Sequence, residues 1–168
     1  MNFDDVICNR YSARSFSDKK ITKEELNKIL EAGRIAPTAK NNQPIKIYIV
    51  ESDIGLAKID KASPCRYGSQ TVLIVCGDKK EAFSNGSHST YETDSCIVAT
   101  HMMLEATNIG VDNIWIRLFD GEILRKEFNL PDNLIPVCLL PIGYKKEECK
   151  PSHLHEKRKN VEEIVDYL

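Results

Sequence analysis

Arg10-Tyr11-Ser12-Ala13-Arg14-Ser15-Phe16 sets two guanidinium groups four residues apart around a hydroxyl, directly after a short N-terminal helical pattern. Guanidinium is planar, permanently charged and a fork of donors, so it suits phosphate and polarised carbonyl oxygens. Taken alone, the pair reads as solvated cations on a helix flank. A second polar run follows at Ala36-Pro37-Thr38-Ala39-Lys40-Asn41-Asn42-Gln43-Pro44. Pro and Asn are turn residues, so by composition this run is a helix-to-strand loop.

Working outward, Thr22-Lys23-Glu24-Glu25 reads as a capping box. Leu26, Ile29 and Leu30 mark one helical face, and Gly33 is placed as the stop at C′. Ile45, Ile47 and Ile49 alternate with Lys46 and Tyr48 as a strand. Thr71 to Cys76 is a continuous apolar run ended by Gly77-Asp78, the pattern of a strand buried on both faces. Residues 77–90 are polar, with Asn85-Gly86-Ser87 as a turn signal. Glu92 to Ile109 is helical and apolar on most sides, ended by Gly110, and reads as a central buried helix. Ile114 to Leu118 is a strand or extended segment, and Asp120 caps a short helix through Phe128. Leu134 to Ile142 is apolar but carries Pro136 and Pro141, which favours an irregular or edge strand. Residues 145–160 form a charged tail. Beyond it Val161, Ile164, Val165 and Leu168 stand at helical spacing, an amphipathic turn or two that wants a second surface.

The chain has 168 residues, 42% hydrophobic and 29% charged, with a formal net charge of -2. That suits one globular domain over 1–168 and offers no basic field for nucleic acid or anionic membrane. Apolar runs are too short for a bilayer helix, and the N-terminus lacks a signal-peptide pattern, so a cytoplasmic location is expected. Six cysteines, none in a Cys-x-x-Cys pair, read as reduced and mostly buried. Cys149, His153 and His155 lack a fourth zinc ligand and read as solvated tail. His101 reads as a satisfied helix histidine. Alternating helices and strands favour a doubly wound parallel sheet by pattern alone. No Gly-rich phosphate loop follows any strand, so pattern leaves α/β and α+β both open.

The ordered motifs resemble the nitroreductase family of FMN-dependent oxidoreductases, whose members open with Arg-x-Ser-x-Arg-x-Phe. The resemblance covers nearly the whole chain. It implies an α+β fold, a mixed and mostly antiparallel sheet flanked by helices, built as an intertwined homodimer. Arg10, Tyr11, Ser12 and Arg14 fall where the family binds the phosphate, ribityl chain and pyrimidine edge of FMN. Pro37, Thr38, Ala39, Asn41 and Gln43 match the segment that reaches the flavin of the opposite subunit. Trp115 and Ile116 match a Trp-Ile pair beside the ring, with a backbone N–H near Ile116 for the flavin N5. Pro141 to Tyr144 resembles the family's Gly-Tyr turn, and Arg158 its C-terminal phosphate contact. Arg66 is the candidate for a mid-chain contact. No metal and no catalytic side chain is implied, because the chemistry belongs to the flavin.

The implied activity is hydride transfer from NAD(P)H, through FMN, to an electron-poor small-molecule acceptor such as a nitroaromatic or quinone, by a ping-pong mechanism. A flavin-binding module without nicotinamide-dependent turnover is the alternative. Two positions depart from the family: Ile45 stands where Trp often follows Gln-Pro, and Arg117 where Gly commonly follows Trp-Ile. The polar stretch 81–92 is brief, which predicts a rather exposed flavin.

Overall fold

The computed structural model describes residues 1–168. Four strands, β1 (Ile45–Val50), β2 (Thr71–Asp78), β3 (Asp112–Asn113) and β4 (Leu134–Gly143), form one sheet in the order β1-β2-β4-β3. Every strand pair is antiparallel, and the parallel element is a single bridge between Ser12 and Asn113. The parallel sheet favoured by alternation alone is therefore not what forms; the antiparallel, helix-flanked sheet is.

The helices are α1 (Phe3–Asn9), α2 (Lys23–Arg34), α3 (Asp53–Ala62), α4 (Tyr91–Asn108) and α5 (Gly121–Phe128). They cover both faces. Val72, Ile74 and Cys76 of β2 share one core with Leu56 and Ile59 of α3 and Leu124 of α5. Leu73 and Val75 share the other with Ile29 of α2 and Val98 and Met102 of α4. Burial on both sides is why β2 carries an unbroken apolar run. It continues through Gly77, where an added Cβ would lie 2.6 Å from the Tyr91 carbonyl oxygen at the start of α4.

The capping box forms as read: Thr22 accepts from the Glu25 N–H while Glu25 accepts from the Thr22 N–H at 2.7 Å. Gly33 is not the stop. It lies inside α2, which is capped at Ile35, and an added Cβ would sit 2.7 Å from Met102 Cγ. The glycine serves helix–helix approach, which spacing along one helix does not reveal. Helix α3, with Ser52 accepting from the Gly55 N–H, went unread.

Of the two expectations for strand β4, the irregular one holds and the edge one does not: it is bulged and internal. Its prolines fit for local reasons. Pro136 adjoins a bulge at Val137, where the register with β2 shifts between Val75 and Cys76. Pro141 gives its carbonyl to Ile114 N–H on the side of the two-residue β3, so its missing N–H falls where the ladder is short.

The expected C-terminal amphipathic turns reduce to one 3-10 turn, Val161–Glu163, and Val161, Ile164, Val165 and Leu168 stay exposed on their own chain. Only Cys76 and Cys138 are fully buried among the six cysteines, and Cys8 is exposed. Burial pushes the Cys76 thiol up to about 12. No helix is long and apolar enough to cross a membrane.

Candidate functional site

The N-terminal run is threaded into the end of the sheet by its backbone. Ala13 N–H donates to the Asn113 carbonyl at 3.0 Å, Phe16 N–H to Tyr67 at 3.0 Å and Ser17 N–H to Tyr144 at 2.8 Å. Ala13 and Phe16 are buried, which by alternation turns Ser12 and Arg14 toward solvent. Lys146 N–H closes the far side on the Ser15 carbonyl.

Those outward groups meet the tail. Arg10, Tyr11, Ser12 and Arg14 line a cleft of about 180 Å³ with Ser152, Leu154, His155 and Arg158. Tyr11 anchors the tail: its hydroxyl donates to the Cys149 carbonyl at 3.2 Å, and its ring meets His155 edge-on at 6.0 Å. No carboxylate lines the cleft, which holds three guanidiniums. Burial, and then the neighbouring Arg158, lower the Arg10 pKa. Cations gathered without a counter-charge form a site for an anion, and a phosphate ester fits its donor set.

The loop 37–43 lies elsewhere. It leads into β1, at the opposite edge of the sheet from the Ser12–Asn113 bridge. Three strand spacings of ~4.8 Å separate those edges by about 14 Å. Thr38 and Gln43 line an apolar cleft of about 240 Å³ with Gly33, Ile45, Ile47 and Val98. Lys40, Asn41 and Gln43 all take left-handed backbone, with φ of 53°, 56° and 52°. Such strain is retained where a surrounding structure fixes it, and it gathers at functional sites. Here Asp94 accepts from the Ala39 N–H at 2.9 Å and Thr38 from the Gln43 N–H at 3.0 Å. Pro37 and Asn41 are exposed.

Trp115 and Ile116 extend from β3 along β4. Trp115 is half-buried against the core on the α2–α4 face. The Ile116 N–H is committed to Leu139 at 2.9 Å, whereas neither the Arg117 nor the Leu118 N–H donates within the chain. Free backbone donors near Ile116 are therefore those of Trp115, Arg117 and Leu118. Arg66 is no cofactor contact candidate: it is held by Asp60 through two bonds of 2.7 Å and by the Ser69 carbonyl.

Comparison with known proteins gives the family and the fold. The description "Nitroreductase family" matches residues 7–67 and 61–144. This chain belongs to the nitroreductase family. A nitroreductase family protein from Clostridium difficile 630 superposes with a TM-score of 0.93 and 38% identity, covering 99% of this chain and 98% of that one. A relative from Archaeoglobus fulgidus, provisionally named an NADH dehydrogenase/NAD(P)H nitroreductase, is 27% identical over 85% of each chain. A structure from Exiguobacterium sibiricum, provisionally a nitroreductase and solved in complex with FMN, shares the fold with a TM-score of 0.89 at 23% identity, covering 100% of this chain and 98% of that one.

Within this nitroreductase-family chain, sequence reading missed Tyr67, Ser152, His155 and Asp94. Tyr67 takes left-handed backbone (φ 54°) beside the Arg14 guanidinium. Ser152 and His155 carry no motif, and only folding of the tail brings them to the cleft. Asp94 stands out as a buried carboxylate, 2% exposed. In sequence it is one of two acids in the first turn of the long helix, with nothing to mark it as the buried one.

Proposed function

We propose that this chain is an FMN-dependent NAD(P)H oxidoreductase, a single domain over residues 1–168 that works as a homodimer in the cytoplasm. The observation that carries the reading is the cleft in which Arg10, Arg14 and Arg158 converge with no carboxylate among them. Arg10 and Arg158 would hold the FMN phosphate, with Tyr11 setting the tail that brings Arg158. Ser12 and Arg14 would meet the ribityl chain and the pyrimidine edge, where a cation stabilises negative charge on the reduced ring. When bound, FMN supplies a two-electron relay from NAD(P)H to an electron-poor acceptor, such as a nitroaromatic or quinone, in ping-pong half-reactions. Trp115 and Ile116 would flank the ring, with the unpaired N–H groups of Arg117 and Leu118 as donors beside it.

Three observations support two chains per site. The cleft of about 180 Å³ is smaller than the ~300 Å³ at which small-molecule pockets begin. Pro37, Thr38, Ala39, Asn41 and Gln43 sit across the sheet and would serve the partner's flavin. The apolar C-terminal stripe lacks cover on its own chain. All six cysteines are free, which suits a reducing compartment.

The test is an anaerobic visible spectrum of the purified protein supplied with FMN. Flavin bands that bleach on addition of NADH or NADPH are expected. A colourless protein that gains no bands overturns the reading, and bands that stay yellow under both nicotinamides identify a flavin-binding module instead.

A further inference from the structure

The chain beyond β3 pairs with β4 as a regular antiparallel ladder and then stops short. Ile114 N–H donates to Pro141 at 3.1 Å, and Ile116 exchanges both bonds with Leu139 at 2.9 and 3.0 Å. The next rung, two residues on in each strand, would join Leu118 to Val137. It is absent. The Arg117 Nη1 occupies the Val137 carbonyl instead, and the Leu118 carbonyl accepts from the Ser63 hydroxyl at 2.7 Å.

Val137 makes this substitution matter. It is the bulged residue of β4, without a Cα partner in β2, and 1% exposed. A buried carbonyl with no partner is costly, so some donor must reach it. The guanidinium does so while its other Nη pairs with Glu92 in the first turn of α4. Two elements thus fix the side chain. The strand peels off after Ile116, and Leu118 emerges 68% exposed.

We propose that Arg117 is a positioning residue: its side chain takes the place of the Leu118 N–H at the Val137 carbonyl and so keeps that backbone donor out of the sheet and free for the cofactor ring. The proposal rests on the FMN reading for the identity of that ring. It gives the arginine that stands in place of the family's glycine a definite task.

Amide hydrogen exchange at single-residue resolution, on apoprotein and on FMN-loaded protein, tests it. Arg117→Met keeps the bulk and removes the donors. In that variant the Leu118 N–H is expected to close on Val137 and exchange about fivefold more slowly, the weight of one hydrogen bond. FMN is expected to bind about fivefold more weakly. Arg117→Lys, which keeps one donor for Val137, is expected to restore wild-type exchange at Leu118. A side chain that merely braces the loop gives the opposite sign, faster exchange on removal. Leu118 exchange that is unchanged or faster in Arg117→Met overturns the proposal. Should that variant not fold, Glu92→Ala frees one end of the guanidinium and is expected to slow Leu118 exchange to a smaller degree; no slowing there overturns the proposal equally. A wild type that takes up no FMN fails the cofactor reading instead, and the apoprotein exchange pattern tells the two failures apart.

Discussion

The Arg10–Phe16 run and the Pro37–Gln43 loop carry the two halves of one family motif set, yet they are held by different means. The first is fixed by main-chain bonds to Asn113, Tyr67 and Tyr144 and by the burial of Ala13 and Phe16. Its guanidiniums are free to do something else. The second closes on itself with main-chain bonds from Asn41 to Thr38 and from Asn42 to Ala39, and its three left-handed residues are tied to the rest of the chain by side chains, chiefly Asp94 and Asn42. A backbone-fixed run tolerates side-chain exchange without moving, so substitutions there report on ligand. A side-chain-fixed loop moves when its acceptor is lost, so substitutions there report on structure.

The largest expected effect breaks the ligand half. The double variant Arg10→Ala/Arg158→Ala is expected to weaken FMN binding about 100-fold, two charge-assisted bonds of ~1.5 kcal/mol each, with the melting temperature nearly unchanged. Fluorescence titration of apoprotein reads it, with riboflavin as control. Equal losses for riboflavin and FMN would remove the phosphate from these arginines. Next, Asp94→Ala leaves the Ala39 N–H without its acceptor and the Thr90 hydroxyl with only the Phe83 carbonyl at 3.3 Å. A stability loss of about 2 kcal/mol in denaturant unfolding is expected, with new proteolysis at 38–43. A loop that stays resistant would show that it does not depend on this carboxylate.

Tyr144 probes the anchor of the first run. Its hydroxyl donates to Glu25 at 2.6 Å, and this bond leads the causes that hold the Glu25 carboxyl below its usual range, ahead of the Thr22 N–H. The same bond pushes Tyr144 up to about 12. The sign follows from both directions. A depressed carboxyl stabilises above its unfolded pKa and ceases to do so as pH falls through its folded value; a raised phenol stabilises below its unfolded pKa and ceases as pH climbs toward 12. Tyr144→Phe is therefore expected to cost about 1 kcal/mol near neutrality, reduced by solvent screening, and progressively less as pH falls below the usual carboxylate range. Thermal melts across that range check it, and a pH-independent difference would assign the cost to packing. The smallest effect belongs to Thr38→Val, which removes the acceptor of an exposed N–H: about 0.5 kcal/mol, with FMN affinity reduced only if Gln43 serves a flavin.

Sequence conveyed what depends on near neighbours. Thr22 and Glu25 sit three residues apart and satisfy each other within one turn, so their spacing was sufficient. The run in β2 was legible because both of its faces are buried. Gly33 was misread because its partner, Met102, lies on another helix. Pro136 and Pro141 suggested an edge because the bulge at Val137 and the shortness of β3 are properties of neighbours, not of β4 itself. That Arg10, Ser12, Arg14 and Arg158 line one cleft was foreshadowed by motif order. The left-handed residues of the loop were not, since Lys40 and Gln43 have no local preference for that backbone. The N–H groups of Arg117 and Leu118 became visible as donors only once the ladder could be counted.

Helix α2 gives Gly33 a wider consequence. At its start, Glu25 grips Tyr144, whose carbonyl receives the Ser17 N–H just past the arginine run. At its end, the chain passes through Ile35 and Ala36 directly into the strained loop. One rigid rod thus joins the two edges of the sheet, and its seat on α4 is as close as the missing Cβ permits. A motion that lifts this rod from its seat pulls at one end on the Tyr144 anchor and at the other on the strained loop.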